Sequence, residues 1–161
     1  MARLLVVGGG CRALALARDL RADGHAIRAV TRSEAHRAAI EETGAECVIA
    51  DPDVVGSLRY ALDNVTLVLW LLGTATGDNV ADLHGSRLAM MLERTIDTTA
   101  RGVIYEAAGT VDPAVLADGR ALVERVTAYN EIPLRVLEAD PADHPAWVHA
   151  ARGAIDALLA A

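Results

Sequence analysis

Three consecutive glycines, Gly8-Gly9-Gly10, followed by Cys11, Arg12 and Ala13, stand directly after the apolar run Arg3–Val7 and before a stretch with helical spacing of apolar residues. This is the pattern G-x-G-x-x-[G/A] in the context of a strand turning into a helix, and each position has a physical task. Gly8 permits a tight turn, Gly10 lets main chain approach a diphosphate, and Ala13 is small enough for the helix to pack on the strand. The helix N-terminus then offers unpaired N–H groups and partial positive charge to phosphate oxygens. The bland reading of the same residues is a plain strand-to-helix turn.

The second position to inspect is the end of the next strand, about 20 residues on, where an acid that holds a ribose 2′-hydroxyl is expected for NAD(H). The residues there are Val30-Thr31-Arg32-Ser33, with no carboxylate before Glu34. Thr31 and Ser33 can donate to a 2′-phosphate, and the planar guanidinium of Arg32 can pair with it. Arg12 could close on the same group. The pattern favours NADP(H) over NAD(H); otherwise Arg32 is a solvated arginine at a helix start. Asp51-Pro52, past the third strand, falls where an adenine pocket would have its rim, and Asp51 either accepts from the adenine amine or caps the next helix. Leu72-Gly73 ends the fourth strand, where close approach of backbone to the cofactor is expected.

Acid–base candidates are few. His84 lies one turn into the helix after the loop Gly73–Asn79, within reach of the crevice as an acid or base, or as a structural histidine. Tyr105 and Glu106 alternate on the fifth strand; either one points to the cofactor side, with Glu106 a partly buried acid, or Tyr105 packs and Glu106 pairs with an arginine. The glycine- and threonine-rich loop Gly73–Asn79 leaves the ligand side of the sheet and reads as a lid or as an ordinary connection. Cys11 would sit beside the diphosphate, where oxidation could gate binding, unless it is only a small buried thiol. His144 and His149 are five residues apart and share no helix face, so no metal site is expected.

These groups need a scaffold, and the hydrophobic pattern supplies it. Apolar runs at Arg3–Val7, Ala26–Val30, Cys47–Ala50, Val65–Leu72, Gly102–Ala107 and Ile132–Leu137 alternate with amphipathic segments. The helices are expected over Ala13–Leu20, from Ser33 to Glu42, near Val54–Leu62, as one long helix over Val80–Ile96, from Asp112-Pro113 (cap and first position), and from Asp143 onward. Strands that are apolar throughout and separated by helices imply a parallel sheet covered on both faces. The fold class is therefore α/β: a three-layer, doubly wound Rossmann fold of about six parallel strands in the order 3-2-1-4-5-6. Its 161 residues read as one domain, 1–161, with no linker or repeat.

Composition excludes several classes. The chain is 53% hydrophobic, yet no apolar run nears the roughly 18 residues needed to span a bilayer. No basic-then-apolar leader opens it, and it reads as soluble and cytoplasmic. A net charge of −7 without a basic tract argues against nucleic acid as partner. Two cysteines make neither a disulfide framework nor a four-ligand zinc site. All fifteen basic residues are arginine. Schiff-base chemistry, a GxxxxGK[ST] phosphate loop and a Tyr-x-x-x-Lys proton relay are all excluded within this chain.

The residues VVGGGCRALALARDLRADGH, then IRAVTRS, then GAE and a strand ending at Asp51 resemble the atypical short-chain dehydrogenase/reductase and NAD(P)-dependent epimerase-like superfamily. The likeness is to the branch with a short G-x-G-x-x-G loop, an L-A-x-x-L-x-x-x-G-H helix and a T-R-S strand end. The longer G-x-x-G-x-x-G loop would need glycines at Cys11 and Leu14. The resemblance covers residues 3–72 and implies a Rossmann fold holding NADP(H) or NAD(H). It does not carry catalysis over. Active members have a serine after the fifth strand and a Tyr-x-x-x-Lys beyond; here Ala107 and Ala108 stand in the serine region.

Three functions stay open on sequence: a cofactor-binding or sensing module, a small NAD(P)H-dependent oxidoreductase or epimerase-like enzyme with a non-standard acid and a small-molecule substrate, and a crevice for another adenylate such as S-adenosylmethionine. A homodimer is expected through the helices over Val80–Ile96 and around Trp147.

Overall fold

The computed structural model describes residues 1–161. Six strands form one parallel sheet: β1 (Arg3–Gly8), β2 (Ala26–Thr31), β3 (Glu46–Ile49), β4 (Leu67–Leu71), β5 (Val103–Glu106) and β6 (Leu134–Leu137), in the order β3-β2-β1-β4-β5-β6. The order reverses between β1 and β4, with Val7 paired to Val30 on one side and to Trp70 on the other. That reversal opens a crevice at the carboxyl end of β1, where ligands of such sheets lie.

The helices are α1 (Gly10–Ala22), α2 (Arg37–Glu42), α3 (Val80–Leu83), α4 (Ser86–Ile96), α5 (Pro113–Tyr129) and α6 (His144–Ala160). Side chains alternate across a strand, so the apolar strands serve two cores at once. Leu4, Val6, Leu67, Leu69 and Ile104 face Leu16, Leu20, Trp147 and Ile155 of α1 and α6. Leu5, Val7, Val68, Trp70 and Val103 face Leu88, Met91 and Leu92 of α4 and Val123 of α5. Each such side chain fully buried stabilises the fold by about 1.5–3 kcal/mol relative to exposure. The indole N–H of Trp70 is satisfied inside, donating to the Leu83 carbonyl at 3.0 Å.

Capping follows the sequence closely. The Asp112 carboxylate accepts from the Ala114 N–H at 2.9 Å with Pro113 in the first turn, and Asp143 accepts from the Ala146 N–H at 3.2 Å. Three expectations are corrected. The segment after Ser33 opens with a 3₁₀ turn, Glu34–His36, before α2; Val54–Leu62 resolves into two 3₁₀ turns, Val55–Leu58 and Tyr60–Leu62. The single helix over Val80–Ile96 is broken at His84-Gly85, where Gly85 adopts φ −127°, ψ −106°. The break turns the His84 side chain inward to two buried partners, which helical periodicity alone does not register.

Candidate functional site

A cleft of about 440 Å³ lies over the carboxyl ends of β1, β2 and β4. Its floor is the glycine turn. All three glycines have positive φ (85°, 95° and 56°), which side chains disfavour. They differ in what surrounds them. A Cβ on Gly8 would strike the Leu71 carbonyl, and one on Gly9 would strike the Cβ of Ala13. A Cβ on Gly10 would meet nothing within 4 Å. Gly8 and Gly9 are therefore required by packing, whereas Gly10 leaves main chain bare toward the cleft. Gly9 caps α1 without any side-chain hydrogen bond, so the first-turn N–H groups have no partner within the helix. Such a turn can hold an anion by main chain alone.

Of the residues singled out by sequence, Gly8, Gly9, Gly10, Cys11, Ala13, Thr31, Arg32, Asp51, Pro52 and Leu72 line this cleft. Cys11 is exposed rather than a buried thiol. Arg32 is exposed at the end of β2 and forms no ion pair. The Thr31 hydroxyl lies 3.2 Å from His36 Nδ1. One oxygen of Asp51 accepts from the Asp53 N–H at 2.9 Å, a local turn at the cleft rim.

The remaining candidates lie elsewhere. Ser33 lies outside the cleft lining and caps the 3₁₀ turn by accepting from the Ala35 N–H at 3.2 Å, which leaves its O–H free to donate. Gly73, expected to let backbone approach a cofactor, instead lets backbone approach protein: a Cβ there would strike the Ala108 carbonyl and crowd the Glu106 carboxylate. Arg12, expected to close on the same phosphate as Arg32, turns inward. Its Nε and Nη2 donate to Glu106 at 3.3 and 2.6 Å, its guanidinium lies 5.1 Å from the Trp147 ring, and its Nη1 donates to Thr74 at 3.1 Å.

Glu106 is wholly buried rather than partly so, and its carboxylate also accepts from the Trp147 indole at 2.7 Å and the Gly73 N–H at 2.8 Å. Its arginine-paired reading is the one the structure bears out. His84 and Tyr105 are buried together beneath the cleft wall, with Nδ1 2.6 Å from the phenol oxygen and Nε2 2.9 Å from the Leu72 carbonyl. Burial pushes the His84 imidazole below its ordinary value and the Tyr105 phenol well above its own. None of the three faces the cleft.

Sequence reasoning missed His36, Ala39 and Ile40, which line the cleft from the segment after β2. The Ser33 cap was a usable signal, since the turn it opens carries His36 back toward β2. Thr74, Ala75, Thr76 and Asn79 of the flagged loop also line it. No helix is long and apolar enough to cross a membrane, and no group of three or more His, Cys, Asp or Glu is placed to hold a metal.

No protein-family model and no curated protein matches the chain. Solved structures do. BdcA (YjgI) from E. coli superposes with a TM-score of 0.71 at 13% identity, over 94% of this chain and 89% of that one. The Citrobacter sp. triphenylmethane reductase complexed with NADP(H) gives 0.63 at 22% identity, over 84% and 48%. DesIV, a dTDP-glucose 4,6-dehydratase from Streptomyces venezuelae with NAD and TYD bound, gives 0.67 at 15% identity, over 83% and 54%. The chain thus has a doubly wound, Rossmann-like α/β fold. It spans about half the length of the first solved structures it matches.

Proposed function

We propose that this chain is a nicotinamide-dinucleotide-binding domain, favouring NADP(H) over NAD(H), that serves as a cofactor-binding or sensing module. The observation that carries the reading is the bare main chain at Gly10, open to a cleft at the point where the strand order reverses. The diphosphate would rest on the first-turn N–H groups of α1, with the adenosine end toward β2 and Asp51. The unpaired guanidinium of Arg32 would receive a 2′-phosphate, as a planar fork suits. When bound, the nicotinamide would supply the hydride chemistry. Two of the structural relatives were solved with NADP(H) or NAD, which supports the same cofactor class.

The competing reading, a small oxidoreductase or epimerase-like enzyme acting on a small molecule, needs an acid from His84, Tyr105 or Glu106. Their commitment to one another and to Arg12, away from the cleft, weighs against it. So does the lack of a Tyr-x-x-x-Lys in these residues. In the proposed reading the chain is one domain, works in the cytoplasm without nucleic-acid partners, and pairs as a homodimer through helices on the sheet faces, where α4 exposes Met90 and Ile96.

Calorimetric titration with NADPH and NADH tests this directly. Saturable binding of both, tighter for NADPH, is expected. No heat from either at millimolar concentration would overturn the cofactor reading, and hydride exchange with small carbonyl compounds would overturn the non-catalytic one.

A further inference from the structure

We propose that Arg12 and Glu106 are positioning residues that hold the two rims of the cleft in one register before a dinucleotide arrives. The inference rests on the cofactor reading above and adds to it the device that preforms the diphosphate seat.

The Glu106 carboxylate is saturated. One oxygen takes Arg12 Nη2 and the Gly73 N–H, and the other takes Arg12 Nε and the Trp147 indole. These four donors come from α1, the loop after β4, and α6, and they converge on the end of β5. Arg12 lies two residues beyond Gly10 in the same helical turn. Its third nitrogen reaches Thr74, which lines the opposite rim. One side chain thus spans from the diphosphate turn to the loop facing it, and its fork geometry permits little sliding.

Stability alone does not account for this pair. Desolvating two charges offsets most of their attraction, and apolar residues of similar volume hold such positions as well or better. What the ion pair adds is direction: four donors fixed on two oxygens define how α1 sits against the Gly73–Asn79 loop. A consequence is that the Arg12 charge is neutralised inside the protein. The diphosphate then meets main-chain N–H groups and not a side-chain cation.

The test compares the wild-type chain with Glu106→Gln and with the uncharged double variant Arg12→Met/Glu106→Gln, which avoids stranding a buried charge. Calorimetry follows two probes: NADPH, which spans the glycine turn, and 2′-AMP, which has no diphosphate and engages only the adenosine end. A turn held in register about a tenth of the time binds about tenfold more weakly. The expected result is that loss for NADPH in both variants, with 2′-AMP affinity unchanged. Undiminished NADPH binding by the folded double variant would overturn the proposal while leaving the cofactor reading intact. Parallel loss of both probes would also overturn it, because the pair would then support the fold as a whole. If the wild-type chain binds neither NADPH nor NADH, the cofactor reading itself fails and this proposal with it.

Discussion

His84 and Tyr105 form a closed pair inside the protein: the phenol donates to Nδ1 at 2.6 Å while Nε2–H donates to the Leu72 carbonyl at 2.9 Å. The carbonyl can only accept, which assigns the ring proton to Nε2 and leaves Nδ1 as the acceptor. The pair is a neutral internal bridge joining β5, the α3–α4 break and the end of β4.

A pH dependence of stability follows. Burial lowers the folded-state pKa of His84, so below about 6.5, the ordinary imidazole value, the unfolded chain binds a proton that the folded one refuses. The contribution is complete above that pH and is lost progressively as pH falls toward the folded-state pKa. Thermal melts between pH 7.5 and 5 should show Tm falling on the acid side, with a shallower slope in His84→Gln. An unchanged slope would remove His84 from this role.

Gly119 inverts the usual rule for helical glycine. Replacing an interior helical glycine by alanine ordinarily stabilises by roughly 0.5–1 kcal/mol. In α5, however, a Cβ at 119 would run into the Tyr105 hydroxyl and crowd the His84 carbonyl. Gly119→Ala should therefore destabilise, by about 1–3 kcal/mol as overpacking does. The cost of Gly119→Ala should be smaller in a Tyr105→Phe background than in the wild-type chain, measured by urea denaturation as a double-mutant cycle.

The glycine turn separates folding from binding. Gly8→Ala meets both a left-handed φ, costing about 1–2 kcal/mol, and a collision with the Leu71 carbonyl, so the domain should melt much earlier. Gly10→Ala pays only the backbone term, about 1–2 kcal/mol, and should stay folded. Its methyl group would occupy the diphosphate approach, and NADPH binding should disappear. Circular dichroism melts beside calorimetry would distinguish the two; equal affinity in Gly10→Ala would place the diphosphate elsewhere.

Arg32 should set the preference between coenzymes. A hydrogen bond to a charged group contributes about 1.5–3 kcal/mol, so Arg32→Ala should weaken NADPH by ten- to a hundredfold. NADH should be affected little. Equal losses for both would mean that Arg32 acts on something other than the 2′-phosphate.

Much of the scaffold was legible because burial on both faces writes a plain signal. VTLVLWLL has no polar face to hide behind, and Leu67–Leu71 is buried throughout. The strand order followed from right-handed crossovers rather than from any residue. The glycine turn was legible for the same reason of local necessity, since only glycine fits at 8 and 9. What sequence concealed was long-range. Nothing near Arg12 announces that its partner stands 94 residues away, and local sequence alone points its charge toward a bound phosphate. His84 and the helix break beside it are dictated by Tyr105 and Leu72, again beyond any local window. The close approach at Gly73 is likewise long-range: the groups a Cβ there would meet are the Ala108 carbonyl and the Glu106 carboxylate, more than thirty residues on.

The two tryptophans are both fully enclosed, Trp70 on one side of the sheet and Trp147 on the other, where it donates to Glu106 beside Arg12. Each half of the molecule therefore carries its own fluorophore. Replacing Trp70 with Phe would leave a single emitter touching the ion pair, and its intensity and wavelength would report on that junction with no added dye.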